Sequence, residues 1–144
     1  MSDITSGTVS IDAPLSEVQK LLFEIGAYPT WSKAIKSVEV LSSDAEGRVA
    51  SARLVVDAGM MKDKVVLDYD WSKAPDQLSF SLSDADILTA MDGTYLIAGD
   101  EENTSVTYSL NVELSMPLPA MMRHKAEQTV IDTALGQLKA FAEM

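Results

Sequence analysis

The chain has 144 residues, which fits one domain over 1–144, a size at which folding buries about 70% of the surface the unfolded chain exposes. Apolar residues make up 47% and mean hydropathy is near zero, which excludes a disordered chain, and no apolar run approaches the roughly 18 residues of a membrane span, so no stable membrane insertion is expected. With no cysteine, one histidine and a net charge of −11, the sequence excludes disulfides, thiol nucleophiles and multi-histidine metal sites in one chain, and it opposes attraction to nucleic acid.

Ile4, Val9 and Ile11 predict a first strand over 4–11. The first stretch, Met1 to Ser10, is polar and lacks a basic start followed by an apolar block, so no secretion signal is read and cytoplasmic residence is expected. Asp12, Ala13 and Pro14 read as a helix entrance, with Asp12 placed to cap and proline tolerated in the first turn. Val18, Leu21, Leu22 and Ile25 recur at spacings of three and four, one apolar face that Gly26 would end. Tyr28, Pro29, Trp31 and Ile35 predict a short second helix packed by a large aromatic.

From Ser37 to Leu114 the apolar period is two, with turn-rich breaks at 42–47, 58–63, 74–77, 83–86 and 99–103, so six strands fit. Ala50, Ala52, Leu54 and Val56 share a face, as do Val65, Leu67, Tyr69 and Trp71, then Leu78, Phe80 and Leu82, then Val106, Tyr108, Leu110, Val112 and Leu114. The breaks are too short for crossover helices, which favours an antiparallel meander.

After Pro117 and Pro119 the period returns to that of a helix reaching about Ala142. Ala126, Val130, Ile131, Ala134, Leu135, Leu138, Phe141 and Ala142 fill an apolar arc of roughly 180°. Lys125, Gln128, Thr129, Asp132, Gly136, Lys139 and Glu143 take the other side, where solvent is expected. The predicted class is α+β: a bent antiparallel sheet of about seven strands, ordered strand, two helices, six strands, helix, with the long terminal helix in its concavity.

These residues resemble the START-like, helix-grip superfamily, also called SRPBCC, along the whole chain. The resemblance rests on Ile11-Asp12-Ala13-Pro14 with Val18, on Tyr28-Pro29-Thr30-Trp31 with Ile35, on Asp92-Gly93-Thr94-Tyr95, and on 104–108 before the last helix. The sequence is similar to bacterial polyketide cyclase/dehydrase and coenzyme-Q-binding-like members. The resemblance implies an apolar cavity between sheet and terminal helix and no single fixed reaction.

An empty void costs on the order of 24 cal/mol per Å³, so a bare pocket of about 300 Å³ would cost about 7 kcal/mol, comparable with a whole domain's stability. The cavity is therefore expected to hold ligand, lipid or water, or to be collapsed by bulky side chains. Candidate lining residues are Trp31, Tyr69, Trp71, Phe80, Tyr95 and Tyr108, with Met60, Met61, Met91, Met121 and Met122 as flexible thioethers and Val130 on the helix. Each can equally be ordinary core. Arg123, Glu127 and Gln137 project into the apolar sector, with His124 at its edge. Arg123 and Glu127 are candidates to orient a ligand's polar end, and His124 is the side chain with a reference pKa suited to proton transfer. The plain alternative is an i,i+4 Arg123–Glu127 ion pair beside an exposed histidine.

Asp68 with Asp70, and Asp84 with Asp86, are spaced to share a strand face, but the first pair alternates with buried residues and should point to solvent, so no metal site is assigned. No phosphate loop, nucleophile elbow or zinc motif is present, and no cofactor is expected. The leading function is binding of a hydrophobic small molecule such as a polyketide, isoprenoid or lipid. An aromatase/cyclase using Tyr95, Tyr108, Arg123, His124 or Glu127 is the alternative. The stretch 74–122 holds eight acidic residues and no Lys or Arg, so a solvated face is expected there, or a dock for a basic protein partner.

Overall fold

The computed structural model describes residues 5–57, 62–114 and 119–144. The period-two segments become β1 (Thr5–Ile11), β2 (Ile35–Ser43), β3 (Val49–Asp57), β4 (Lys62–Asp70), β5 (Gln77–Ala85), β6 (Leu88–Gly99) and β7 (Thr104–Leu114). They form one antiparallel sheet in the order β1-β7-β6-β5-β4-β3-β2. Strands β2 to β7 are the expected meander. β1 pairs with β7 at the far edge, so α1 (Leu15–Phe23) and a 3-10 helix (Ile25–Thr30) carry the chain from one edge to the other. Register shifts in the β2/β3, β4/β5 and β6/β7 ladders are of the kind that bend strands. The terminal helix α2 (Ala120–Ala142) packs on β1 and β7 through Val130, Ile131, Leu135 and Leu138, all buried.

Two glycines record how closely these layers approach. A Cβ on Gly7 would stand 2.9 Å from Ile131 Cγ2, so α2 lies almost on the β1 backbone. A Cβ on Gly93 would stand 2.2 Å from Phe80 Cζ, so the Phe80 ring lies over the bare backbone of β6.

Four sequence expectations are corrected. Asp12 does not cap α1: the N-cap is Pro14 without a side-chain bond, and Leu15 N–H finds its acceptor in the Asp100 carbonyl at 2.8 Å. Gly26 does not end α1, which stops at Phe23. The last turn closes with Glu24 N–H on the Lys20 carbonyl, the Tyr28 hydroxyl donates to the orphan Leu22 carbonyl, and Gly26 lies inside the 3-10 helix. The second helix is thus a single 3-10 segment ending before Trp31. The buried arc of α2 is narrower than expected at its C-terminal end, where Phe141 is 37% exposed. Lys139 donates to the Ser10 carbonyl at 2.7 Å, and Glu143 accepts from Asp12 N–H at 2.8 Å and from Lys139. This clamp ties the solvent face of α2, which stays exposed at Glu143, to the end of β1, and residue 141, about 200° away from each of them, turns outward.

Asp68 and Asp70 are exposed, as are all eight acidic residues of the 74–122 stretch. Among the described residues no helix is long and apolar enough to cross a membrane.

Candidate functional site

Alternation along four neighbouring strands carries four aromatic rings to the concave face under α2: Tyr69 from β4, Phe80 from β5, Tyr95 from β6 and Tyr108 from β7. Register places Tyr69 opposite Phe80 and Tyr95 opposite Tyr108. Phe80 sits in the middle, its centroid 5.9 Å from Tyr69, 6.5 Å from Tyr95 and 6.4 Å from Tyr108. Tyr95 and Tyr108 stack at 4.3 Å and 22°. Trp31, just after the 3-10 helix, meets Tyr28 edge-on at 5.2 Å. Met91 of β6 and Val130 and Ala134 of α2 complete the enclosure with aliphatic residues of β3 and β4.

The space left among these groups is about 50 Å³. That holds one or two waters, and as an empty void it would cost about 1 kcal/mol. Of the two outcomes expected from the cavity's energetics, collapse by bulky side chains is the one found: aromatic side chains and a methionine fill most of the volume that the bent sheet and α2 enclose.

The lining is uncharged. Among the described residues no carboxylate, imidazole, ammonium or guanidinium contributes to it. Its four tyrosines, Tyr28, Tyr69, Tyr95 and Tyr108, are the only tyrosines of the chain. Burial pushes each phenol above its ordinary value, and the neighbouring rings add to this for Tyr28, Tyr69 and Tyr108. For Tyr95 burial dominates and a side-chain hydrogen bond with Tyr108 works the other way. The hydroxyls are therefore neutral hydrogen-bonding groups and not bases. A raised folded pKa stabilises the fold fully below the unfolded value near 10, and the contribution is lost as pH rises above it. In an alkaline titration followed by tyrosinate absorbance, all four phenols are expected to ionise together with cooperative unfolding, well above pH 10. Even one phenol titrating smoothly near its ordinary value in the folded chain would contradict this burial.

The other sequence candidates lie elsewhere. Trp71 is buried but lines an outer cleft of about 470 Å³ near Phe23, Arg48, Ala74 and Pro75. There the Trp71 indole N–H donates to the Val49 carbonyl at 2.7 Å, the Arg48 guanidinium stands 5.3 Å over its ring, and Arg48 is paired with Asp44 and Glu46. This cleft is larger than the inner cavity, but it is a groove between loops whose polar groups named here have partners. Met121 and Met122 are 83% and 47% exposed and do not line the inner cavity. Met60 and Met61 lie outside the described residues.

Arg123, His124 and Glu127 form no part of the cavity wall either. Glu127 is 0% exposed. Its Oε2 accepts Val112 N–H at 2.7 Å, and its Oε1 accepts the Thr5 hydroxyl at 2.6 Å. His124 Nδ1 lies 2.8 Å from Thr5 Oγ1 and 3.2 Å from Glu127 Oε1. Thr5 donates its one proton to Glu127, and the His124 ring nitrogen stands within hydrogen-bond reach of both oxygens. The i,i+4 Arg123–Glu127 pair is not formed: Glu127 meets His124, three positions back, instead, and Arg123 Nε is buried without a partner. Gln137, the third polar residue of the arc, accepts Lys33 N–H at 2.8 Å and ties the 31–35 segment to α2.

Lining residues missed in the sequence are Tyr28 of the 3-10 helix and Ala134 of α2, then Ser32, Ala34 and Ile35 from the segment after the 3-10 helix, with Leu54, Val56 and Leu67. The signal was present for the last three, which share strand faces with named neighbours. For the 31–35 segment the aperiodic sequence offers none.

This geometry has close counterparts. A START superfamily protein from Mycobacterium smegmatis superposes with a TM-score of 0.92 at 22% identity, covering 99% of this chain and 98% of that one. The Zhui aromatase/cyclase from Streptomyces sp. R1128 gives 0.80 at 18% identity, covering 98% and 93%. A protein from Thermus thermophilus gives 0.76 at 21% identity, covering 96% and 95%. At these identities the likeness establishes the helix-grip fold and nothing finer. No curated protein sequence matches the chain. The sequence profile of the polyketide cyclase/dehydrase and lipid transport proteins, however, matches residues 11–139, from the end of β1 through nearly all of α2, and so takes in every element that builds the cavity. On that match the chain belongs to the polyketide cyclase/dehydrase and lipid transport family.

Proposed function

We propose that the protein binds one hydrophobic small molecule, of the polyketide, isoprenoid or lipid kind, between the concave sheet and α2. The observation that carries this reading is the uncharged, aromatic lining under the gripping helix. Family membership supports it, since lipid transport and polyketide chemistry both handle apolar molecules. The space of about 50 Å³ is smaller than the roughly 300 Å³ of a typical ligand site, so binding requires side chains to move aside. Two features supply that room. Met91 is a flexible thioether in the wall, and the 31–35 segment reaches α2 through the Lys33–Gln137 hydrogen bond, which is solvent-exposed.

Titration with N-phenyl-1-naphthylamine, a neutral apolar fluorophore, is expected to give saturable enhancement at one site per chain, lost on competition with a long-chain alcohol. Linear, unsaturable enhancement would overturn the reading. The cyclase alternative is favoured by the likeness to the Zhui aromatase/cyclase and by the neutral, mutually hydrogen-bonded Tyr95 and Tyr108 hydroxyls in the cavity, a pair that keeps one proton to donate to a carbonyl. It is not favoured for His124, Arg123 or Glu127, which do not reach the cavity wall.

A further inference from the structure

The indole N–H of Trp31 is buried with no hydrogen-bond partner, on a residue that is 7% exposed and lines the inner cavity. Buried donors in folded proteins are rarely left in this state, because the water they gave up is not replaced. The chain's other indole shows the usual outcome: Trp71 donates to the Val49 carbonyl at 2.7 Å. The Trp31 ring is also held in place. Its backbone N–H donates to the Tyr28 carbonyl at 3.1 Å, and its ring rests edge-on against Tyr28. The Tyr28 hydroxyl donates to the Leu22 carbonyl and accepts nothing from this indole. Trp31 thus brings an unpartnered donor to a wall that is otherwise apolar or aromatic in the main and holds, among the described residues, no cationic side chain.

We infer that Trp31 is the polar anchor of the bound molecule, donating its indole hydrogen bond to a carbonyl or ether oxygen on a neutral, ring-containing apolar ligand. The inference rests on the cavity-binding reading and narrows it. A pure hydrocarbon leaves the donor unpaired. A carboxylate would satisfy it, but only by burying a charge with no cation to receive it. Planar rings match the aromatic walls, where Tyr95 and Tyr108 already stack in parallel.

The test uses three nearly isosteric probes: fluorene, 9-fluorenone and fluorene-9-carboxylate. The wild-type chain is expected to bind fluorenone about tenfold more tightly than fluorene, the usual scale for satisfying one buried donor, and the carboxylate more weakly than fluorenone. In 1H–15N spectra the Trp31 indole proton should move downfield with fluorenone and not with fluorene, while the Trp71 indole serves as the internal control. Trp31→Phe keeps an aromatic ring and removes the donor, and it is expected to bind fluorene and fluorenone equally. Should that variant not fold, the wild-type affinities and spectra decide alone. Equal affinity of wild type for fluorene and fluorenone, with the Trp31 indole proton unmoved, overturns the anchor while leaving cavity binding intact. If no probe binds at all, both the anchor and the cavity-binding reading fall.

Discussion

Glu127→Ala is expected to lower stability by about 3 kcal/mol, a fall in Tm of roughly 10 °C for a chain of this size. Glu127 is a wholly buried carboxylate that joins three elements: α2, from which it projects, β7 through Val112 N–H and β1 through the Thr5 hydroxyl. In alanine the Val112 amide loses its acceptor in a place water does not reach, the Thr5 hydroxyl loses its own, and the vacated volume adds a cavity term. Glu127→Gln keeps the shape and one acceptor oxygen but puts an amide donor against a second donor. Its loss should fall between wild type and alanine. Thermal unfolding of both variants is the measurement, and an alanine variant within 0.5 kcal/mol of wild type, the usual range for surface changes, would show that Glu127 is not the tether described.

Gly93→Ala has its main effect on the cavity. The new methyl would stand 2.2 Å from Phe80 Cζ and 2.5 Å from Cε2, so the ring must leave its seat on β6. The side open to it is the inner cavity, whose about 50 Å³ it would occupy. Overpacking of this kind costs typically 1–3 kcal/mol, and loss of the remaining space should abolish saturable uptake of N-phenyl-1-naphthylamine. Phe80→Leu placed in the same chain removes the clash and should restore both stability and uptake. A Gly93→Ala chain that binds the probe as wild type does would place the binding site away from Phe80.

Much of this architecture could be read from the residues. Period two along β4, β5 and β7 places Tyr69, Phe80 and Tyr108 each on the apolar face of its own strand, Tyr95 stands beside them among the candidate lining residues, and all four line the cavity. Trp71 continues the same alternation, yet β4 ends at Asp70 and the chain turns, which delivers the indole to the outer cleft. Periodicity says which face a residue takes only while the element lasts. The collapse of the cavity was legible only as one of two outcomes, because it depends on sheet curvature and on the 2.9 Å approach of α2 to Gly7, and neither is a local property of the sequence. The environment of Glu127 was hidden for a related reason. Its partners stand 122 and 15 residues away, so helical spacing suggested Arg123, four positions back, while the fold supplied Thr5 and Val112. Lys139 and Glu143 add to this lesson: they lie on the solvent side as their charge predicts, but their backbone partners at the end of β1 are more than 120 residues away in the chain.

The central claim is that an apolar molecule enters between the sheet and α2, and intermolecular NOEs in the saturated complex test it most directly. With methyl-labelled protein and N-phenyl-1-naphthylamine, the expected result is NOEs from the probe to the methyls of Met91, Val130, Ala134 and Ile35, which line the inner cavity. NOEs confined to Ile25, Val49 and Ala74 of the outer cleft would contradict it.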